Sequence, residues 1–203
     1  MPRHLATHPA DMISTTAGGS RGGAGWSMVR VERAADGGCS DAPAACGRKE
    51  PVVTDHARQT IALLTTSYCM EIETVMNYLA HSVNLDGVRA EEIKKSLGAD
   101  IAEEVSHAQQ IGKRIKQLGG TLPGSAGVRL GGQKQPPTDT TDVVSVIEAV
   151  IEAEEGACAQ YRKIIAAVDG QDYVTQDLCV RLLADEEDHL VQFRGYLKEY
   201  RKG

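Results

Sequence analysis

Four long segments, near residues 54–84, 89–118, 140–169 and 172–200, repeat apolar side chains at alternating steps of four and three. Each interrupts its apolar stripe with a glutamate near mid-length. The third segment shows this best, reading Val143, Ile147, Val150, Glu154, Ala157, Tyr161, Ile164 and Val168. The fourth reads Thr175, Cys179, Leu182, Glu186, His189 and Phe193, continued by Tyr196 and Tyr200. The second reads Ile93, Leu97, Ile101, Glu104, His107 (or Ala108), Ile111, Ile115 and Leu118. The first reads Leu64, Tyr68, Glu71, Val75, Tyr78, Ser82 and Leu85. Helices with one apolar face must bury that face on one another, so the pattern predicts an all-α bundle.

The connections decide how the helices run. Asp86-Gly87 closes the first and Gly119-Gly120 the second, while Thr140-Thr141-Asp142 offers N-cap chemistry for the third, which ends near Asp169-Gly170. Short links make antiparallel neighbours of helices one and two and of helices three and four. The Gly- and Pro-rich stretch 119–139 is long enough to carry the chain along the bundle, giving two hairpins joined by a long crossover loop. The bundle domain is expected over residues 53–203. Residues 1–52 hold eight of the 21 glycines and no sustained apolar period, so a flexible N-terminal tail is expected there. Its basic and acidic residues nearly balance, which argues against a DNA-binding arm.

No apolar run reaches the roughly 18–20 residues of a membrane span. The N-terminus lacks the apolar segment of a secretory signal, and the expected location is cytoplasmic. A net charge of -6 argues against a general nucleic-acid surface. Cys39, Cys46, Cys69, Cys158 and Cys179 form no close CxxC pair, so neither a disulfide scaffold nor a zinc site is indicated.

The inward glutamates carry the chemistry. An ionised carboxylate in a dry interior costs on the order of several kcal/mol unless it is paired or coordinated. None of the four stripes supplies Lys or Arg, whereas two divalent cations would neutralise four carboxylates and leave two histidines neutral. Glu104-x-x-His107 and Glu186-x-x-His189 each project from one helical face. The layout also repeats: Glu71 precedes Tyr78 by seven residues and Glu104 by 33, and Glu154 precedes Tyr161 by seven and Glu186 by 32. The candidate metal ligands are therefore Glu71, Glu104, His107, Glu154, Glu186 and His189. Tyr78 and Tyr161 are candidates to hydrogen-bond ligand carboxylates.

Cys158 lies one turn past Glu154 and Cys179 two turns before Glu186. At about 1.5 Å per residue both fall on the same side of the metals, roughly 6 and 10 Å along the axis. They are a candidate redox pair, or two small buried hydrophobes. Glu73, Glu103, Glu155, Glu187 and His81 stand off the ligand positions. Carboxylate and imidazole ligands suit Fe and Mn alike.

The segments EIETVMNYLAH (71–81), EEVSHA (103–108) and ADEEDHL (184–190) resemble the corresponding helices of bacterioferritin and its relatives, over about residues 55–200. One Glu on each of two helices with Glu-x-x-His on the other two is the arrangement that ferritin-like carboxylate proteins share. The resemblance implies a ferritin-like four-helix bundle with two Fe ions per subunit, Glu104 and Glu186 bridging, Glu71 and Glu154 terminal, and one histidine on each metal. It implies ferroxidase activity with O2 or H2O2 and iron storage in a homo-oligomeric cage.

Val105 stands where bacterioferritins carry a haem-ligating Met, so no haem is expected. The sequence ends 14 residues past His189, short of the fifth helix of 24-subunit cages. With two nearby thiols it is similar to the Dps-like thioferritin branch, and a dodecamer is expected ahead of a 24-mer. The alternatives are a rubrerythrin-like peroxidase, a dimanganese catalase or a Dps-type DNA-protecting cage. Ala157 occupies the position where rubrerythrin usually supplies a further Glu.

Overall fold

In a computed structural model of the chain, residues 54–202 are described; the tail expected over 1–52 lies outside them. Four helices follow in order: α1 (Asp55–Asn84), α2 (Glu91–Gln117), α3 (Val143–Val168) and α4 (Tyr173–Tyr200). Each begins or ends where local chemistry dictates. Thr54 Oγ1 accepts the Ala57 N–H at 3.1 Å, and the Asp142 and Asp172 carboxylates accept the Ser145 and Thr175 N–H groups, each at 3.0 Å. At the end of α2, Gly119 donates to the Lys116 carbonyl at 3.1 Å and Gly120 to the Ile115 carbonyl at 2.9 Å. That paired closure needs a left-handed residue between them, and Gly119 adopts φ 87° without a Cβ clash.

Helices α1 and α2 pack as one hairpin and α3 and α4 as the other, with α1 against α3. Arg114 ties the end of α2 to the start of α4, donating to the two Asp172 carboxylate oxygens at 2.7 and 2.9 Å and to Thr175 Oγ1 at 2.8 Å. The interior holds two apolar clusters. One joins Leu64, Ile111, Ile115, Ile164, Cys179 and Leu182, and the other Ile93, Leu97, Ile147, Val150 and Phe193. Between them lies a polar layer.

The inward stripes of α3 and α4 match the sequence reading from Val143 to Val168 and from Thr175 to Phe193. Those of α1 and α2 are rotated in part. Ser67, Thr74 and His81 are buried where Tyr68, Val75 and Ser82 were expected inside, and Asp100 is buried in preference to Ile101. Neighbouring positions on a 3.6-residue helix lie on either side of the seam, and the opposing helices decide which one turns inward.

The crossover between α2 and α3 is held down rather than free. Buried Glu73 on α1 accepts the Gly131 and Gln133 N–H groups through one oxygen, at 2.8 and 2.9 Å. Gln133 donates to Thr74 Oγ1 at 2.7 Å and accepts from Asn77 Nδ2 at 3.1 Å. Apart from one 3-10 turn at Ser125–Gly127, this loop has no helix of its own and depends on such side-chain acceptors. Glu73→Ala leaves two loop donors unsatisfied and is expected to lower stability by about 1–3 kcal/mol. A fall in the urea midpoint with faster proteolysis between residues 119 and 142 would show this; unchanged cleavage would refute the anchoring role.

Candidate metal centre

Glu71, Glu104, His107, Glu154, Glu186 and His189 meet in the polar layer at mid-bundle, and none is more than 6% exposed. One ligand atom from each of Glu71, Glu104, His107 and Glu186 lies within 4.8 Å of the others, and the same holds for Glu104, Glu154, Glu186 and His189. Glu104 and Glu186 therefore belong to both groups, while Glu71 with His107 and Glu154 with His189 complete one group each. The i, i+3 spacing on α2 and α4 produces this directly, since both members of each pair project from one face.

These atoms crowd around one shared centre. His107 Nδ1 lies 3.1 Å from Glu186 Oε1, and His189 Nδ1 lies 3.2 Å from Glu186 Oε2. Yet both Nδ1 atoms and all four oxygens of Glu104 and Glu186 are buried without a hydrogen-bond partner. Among the described residues no Lys or Arg is buried. Orphaned acceptors of this kind are rare in folded proteins, and a hard cation satisfies several at once. The donor set fits two divalent ions.

Electrostatics tell the same story. Burial, with the neighbouring carboxylates adding to it, pushes Glu104 well above its usual range; burial also raises Glu71. Burial lifts Glu154 to about 7 against the pull of His189. Burial would raise Glu186 too, but His107 and His189 outweigh it and hold that group at about 2. His189 rises to about 11 although burial opposes its charge, because Glu154 and Glu186 flank it. Without cations, the site can relieve its charge only by holding protons.

A second layer orients the six groups. The Tyr78 hydroxyl donates to Glu154 and the Tyr161 hydroxyl to Glu71, so each hairpin's tyrosine holds the other hairpin's carboxylate. Burial raises both phenols well above their usual range, which keeps them as neutral donors. On the outer side, His189 Nε2 lies 3.1 Å from Glu103 and His107 Nε2 3.4 Å from Asp185. Such acids fix the ring and direct Nδ1 inward. Glu103 was recognisable only as a flanking acid, and Asp185 was missed. Its signal was position alone, next to Glu186 on α4.

The remaining candidates lie elsewhere. Cys179 packs in the apolar cluster of Leu64, Ile111 and Leu182, while Cys158 floors a shallow pocket between α3 and α4 beside Arg162 and Glu187. Both are free thiols, raised by burial to about 12 and about 11. Glu155 and Glu187 form exposed ion pairs with Arg194 and Arg162. His81 is buried in α1, outside both ligand groups, with an unpartnered Nδ1 and a pKa lowered by burial.

A helical bundle that closes two carboxylate–histidine groups around two shared glutamates has the donor layout of a dinuclear carboxylate centre. The ferritin-like domain matches residues 61–202, and the chain belongs to that family. It is 26% identical to a bacterioferritin of Desulfovibrio desulfuricans over 143 residues, covering 70% of this chain and 75% of that protein. It is 40% identical to a bacterial ferritin of Neisseria meningitidis over 95 residues, 46% of this chain and 56% of the relative. In fold it is similar to the dodecameric thioferritin of Bacteroides fragilis, with TM-score 0.66 and 23% identity over 72% of this chain and 88% of that one.

The pKa shifts set a pH dependence. Glu154 has a folded pKa near 7 against 4.5 unfolded, so its charging opposes folding increasingly as pH rises through that window. His189 stabilises fully below 6.5 and loses this as pH rises toward about 11. The metal-free protein is therefore expected to lose stability between about pH 6 and 8. Divalent cations displace the same protons, so their binding strengthens as pH rises. A hundredfold excess over Kd adds about 2.7 kcal/mol per site. Calorimetric Tm values with and without Mn2+ should diverge more at the higher pH, and an increment that shrinks with pH contradicts the site.

Proposed function

We propose that this chain is a ferroxidase subunit that binds two ferrous ions at the six-residue centre and oxidises them for storage in a homo-oligomeric cage. The observation that carries this reading is the pair of four-ligand groups sharing Glu104 and Glu186, whose buried oxygens have no hydrogen-bond partner among the described residues. Two ferrous ions held there supply two electrons to one dioxygen or peroxide. Family membership supports iron as the metal, and the fold likeness to a dodecameric thioferritin supports a closed oligomer.

Each protein group has a definable part. Glu104 and Glu186 keep the two sites adjacent, because each offers two oxygens to the shared centre. Glu71 and Glu154 close the outer flanks, steadied by Tyr161 and Tyr78. His107 and His189 present Nδ1 inward with Nε2 toward Asp185 and Glu103, which accept the outer ring proton and leave the inner nitrogen free to bind metal. The apolar clusters on either side shield the centre along the bundle axis, so charge there is balanced chiefly by these ligands.

The test is anaerobic Fe(II) titration followed by air, with native mass measured before and after loading. Two ferrous ions per chain, a 12-subunit mass and a ferric core are expected. Glu104→Gln/Glu186→Gln should abolish the binding and slow oxidation by more than about 10–100-fold, the loss seen when even supporting groups are disturbed. A protein indifferent to ferrous ion, or a variant that oxidises it as fast as the parent, would sink the proposal.

A further inference from the structure

The dinuclear layer is nearly symmetric, but the chain around it is not. Gln133, in the crossover between α2 and α3, directs its side chain and its N–H at one stretch of α1. Its amide nitrogen donates to Thr74 Oγ1 at 2.7 Å and to the Met70 carbonyl at 3.4 Å, and its amide oxygen accepts from Asn77 Nδ2 at 3.1 Å. Its backbone N–H donates to Glu73 at 2.9 Å. These four partners bracket Glu71 in sequence, and Glu73, Thr74 and Asn77 are buried. One loop residue thus grips the two helical turns that present one terminal ligand.

The matching stretch of α3 has no such grip. Counted from Glu154 as those four are counted from Glu71, its positions are Ala153, Gly156, Ala157 and Gln160. The first three carry no side-chain hydrogen-bonding group, and Gln160 donates to the Leu63 carbonyl of α1 at 3.0 Å. Lys134 does reach Glu152 on α3 at 2.5 Å, yet both side chains are more than half exposed, where an ion pair fixes little. The remaining supports are nearly matched. A tyrosine holds each lone Glu, and an exposed acid lies beside each outer histidine nitrogen, Glu103 at 3.1 Å from His189 and Asp185 at 3.4 Å from His107. Among the described residues, the amide clamp is what most sets the two halves apart.

A ligand already held in its binding geometry loses less freedom when a cation arrives, so it binds more tightly than the same ligand on a looser turn. We propose that Gln133 is a positioning residue for the metal centre: by clamping the α1 turns around Glu71, it makes the Glu71–His107 half the first to fill. This rests on the dinuclear reading above and adds an order of filling to it. Glu104 and Glu186 serve both groups, so they cannot set that order.

Anaerobic calorimetric titration of the full-length protein with Co2+ should resolve two steps of one ion each. Glu71→Gln is expected to remove the tighter step and Glu154→Gln the weaker. Gln133→Ala should weaken the tighter step about 10-fold, the lower end of what supporting partners contribute, and leave the weaker one unchanged. Thr74→Val, which removes the acceptor of the shortest of these bonds from the α1 side, should do the same, so the outcome does not hang on one variant. A role in stability alone would lower the metal-free Tm of Gln133→Ala yet keep the ratio of the two constants at its parent value, and that unchanged ratio would overturn the proposal. So would equal affinities in the parent, or loss of the tighter step in Glu154→Gln. Two ions still bound by Glu104→Gln/Glu186→Gln would instead remove the dinuclear reading and this inference with it.

Discussion

Four carboxylates converge in the dry middle of this bundle, and the described residues bury no basic side chain to meet them apart from histidine. Everything else follows from that imbalance. The layer must take up protons or cations, and the raised pKa values of Glu71, Glu104 and Glu154 show burial and crowding of like charges driving it toward protons. Apolar clusters on both sides keep the layer in low-dielectric surroundings, which is what leaves its acids dependent on protons or cations. Metal-free, the protein carries this layer as a local weakness within an otherwise well-packed aliphatic core.

The two hairpins solve the problem in the same way and lean on each other. Each contributes one lone Glu, one Glu-x-x-His and one Tyr seven residues past the lone Glu. The tyrosines cross over, Tyr78 to Glu154 and Tyr161 to Glu71, so neither hairpin completes its own outer ligand. The site therefore requires both hairpins in register, and the crossover loop pinned by Glu73 helps to set that register. The departures from symmetry lie outside the centre. Cys158 beside Arg162 belongs to one hairpin, and a cleft lined by Asp100, Asp185 and Asp188 opens between α2 and α4.

Helix ends, hairpin pairing and all six converging side chains were legible because each rests on local periodicity or on a short spacing within one helix. Asp142 and Gly119 announced their caps, and Glu-x-x-His places both groups on one face whatever the neighbours are. Other features were not legible. Asp100 and Ile101 are neighbours at the seam, and Asp100 is the one fully buried while Ile101 packs half-buried against the core. Asp185 gains its meaning only from His107 on another helix, and Glu73 only from a loop nearly 60 residues away.

The sequence by itself thus determined an all-α chain with acids on the inner face of every helix, since a 3.6-residue period is a local property. Tertiary structure alone decided which histidine nitrogen faces inward, which tyrosine meets which carboxylate, and where the layer opens to solvent. Those outcomes depend on distances between helices, and no spacing along one chain segment encodes a distance across a seam.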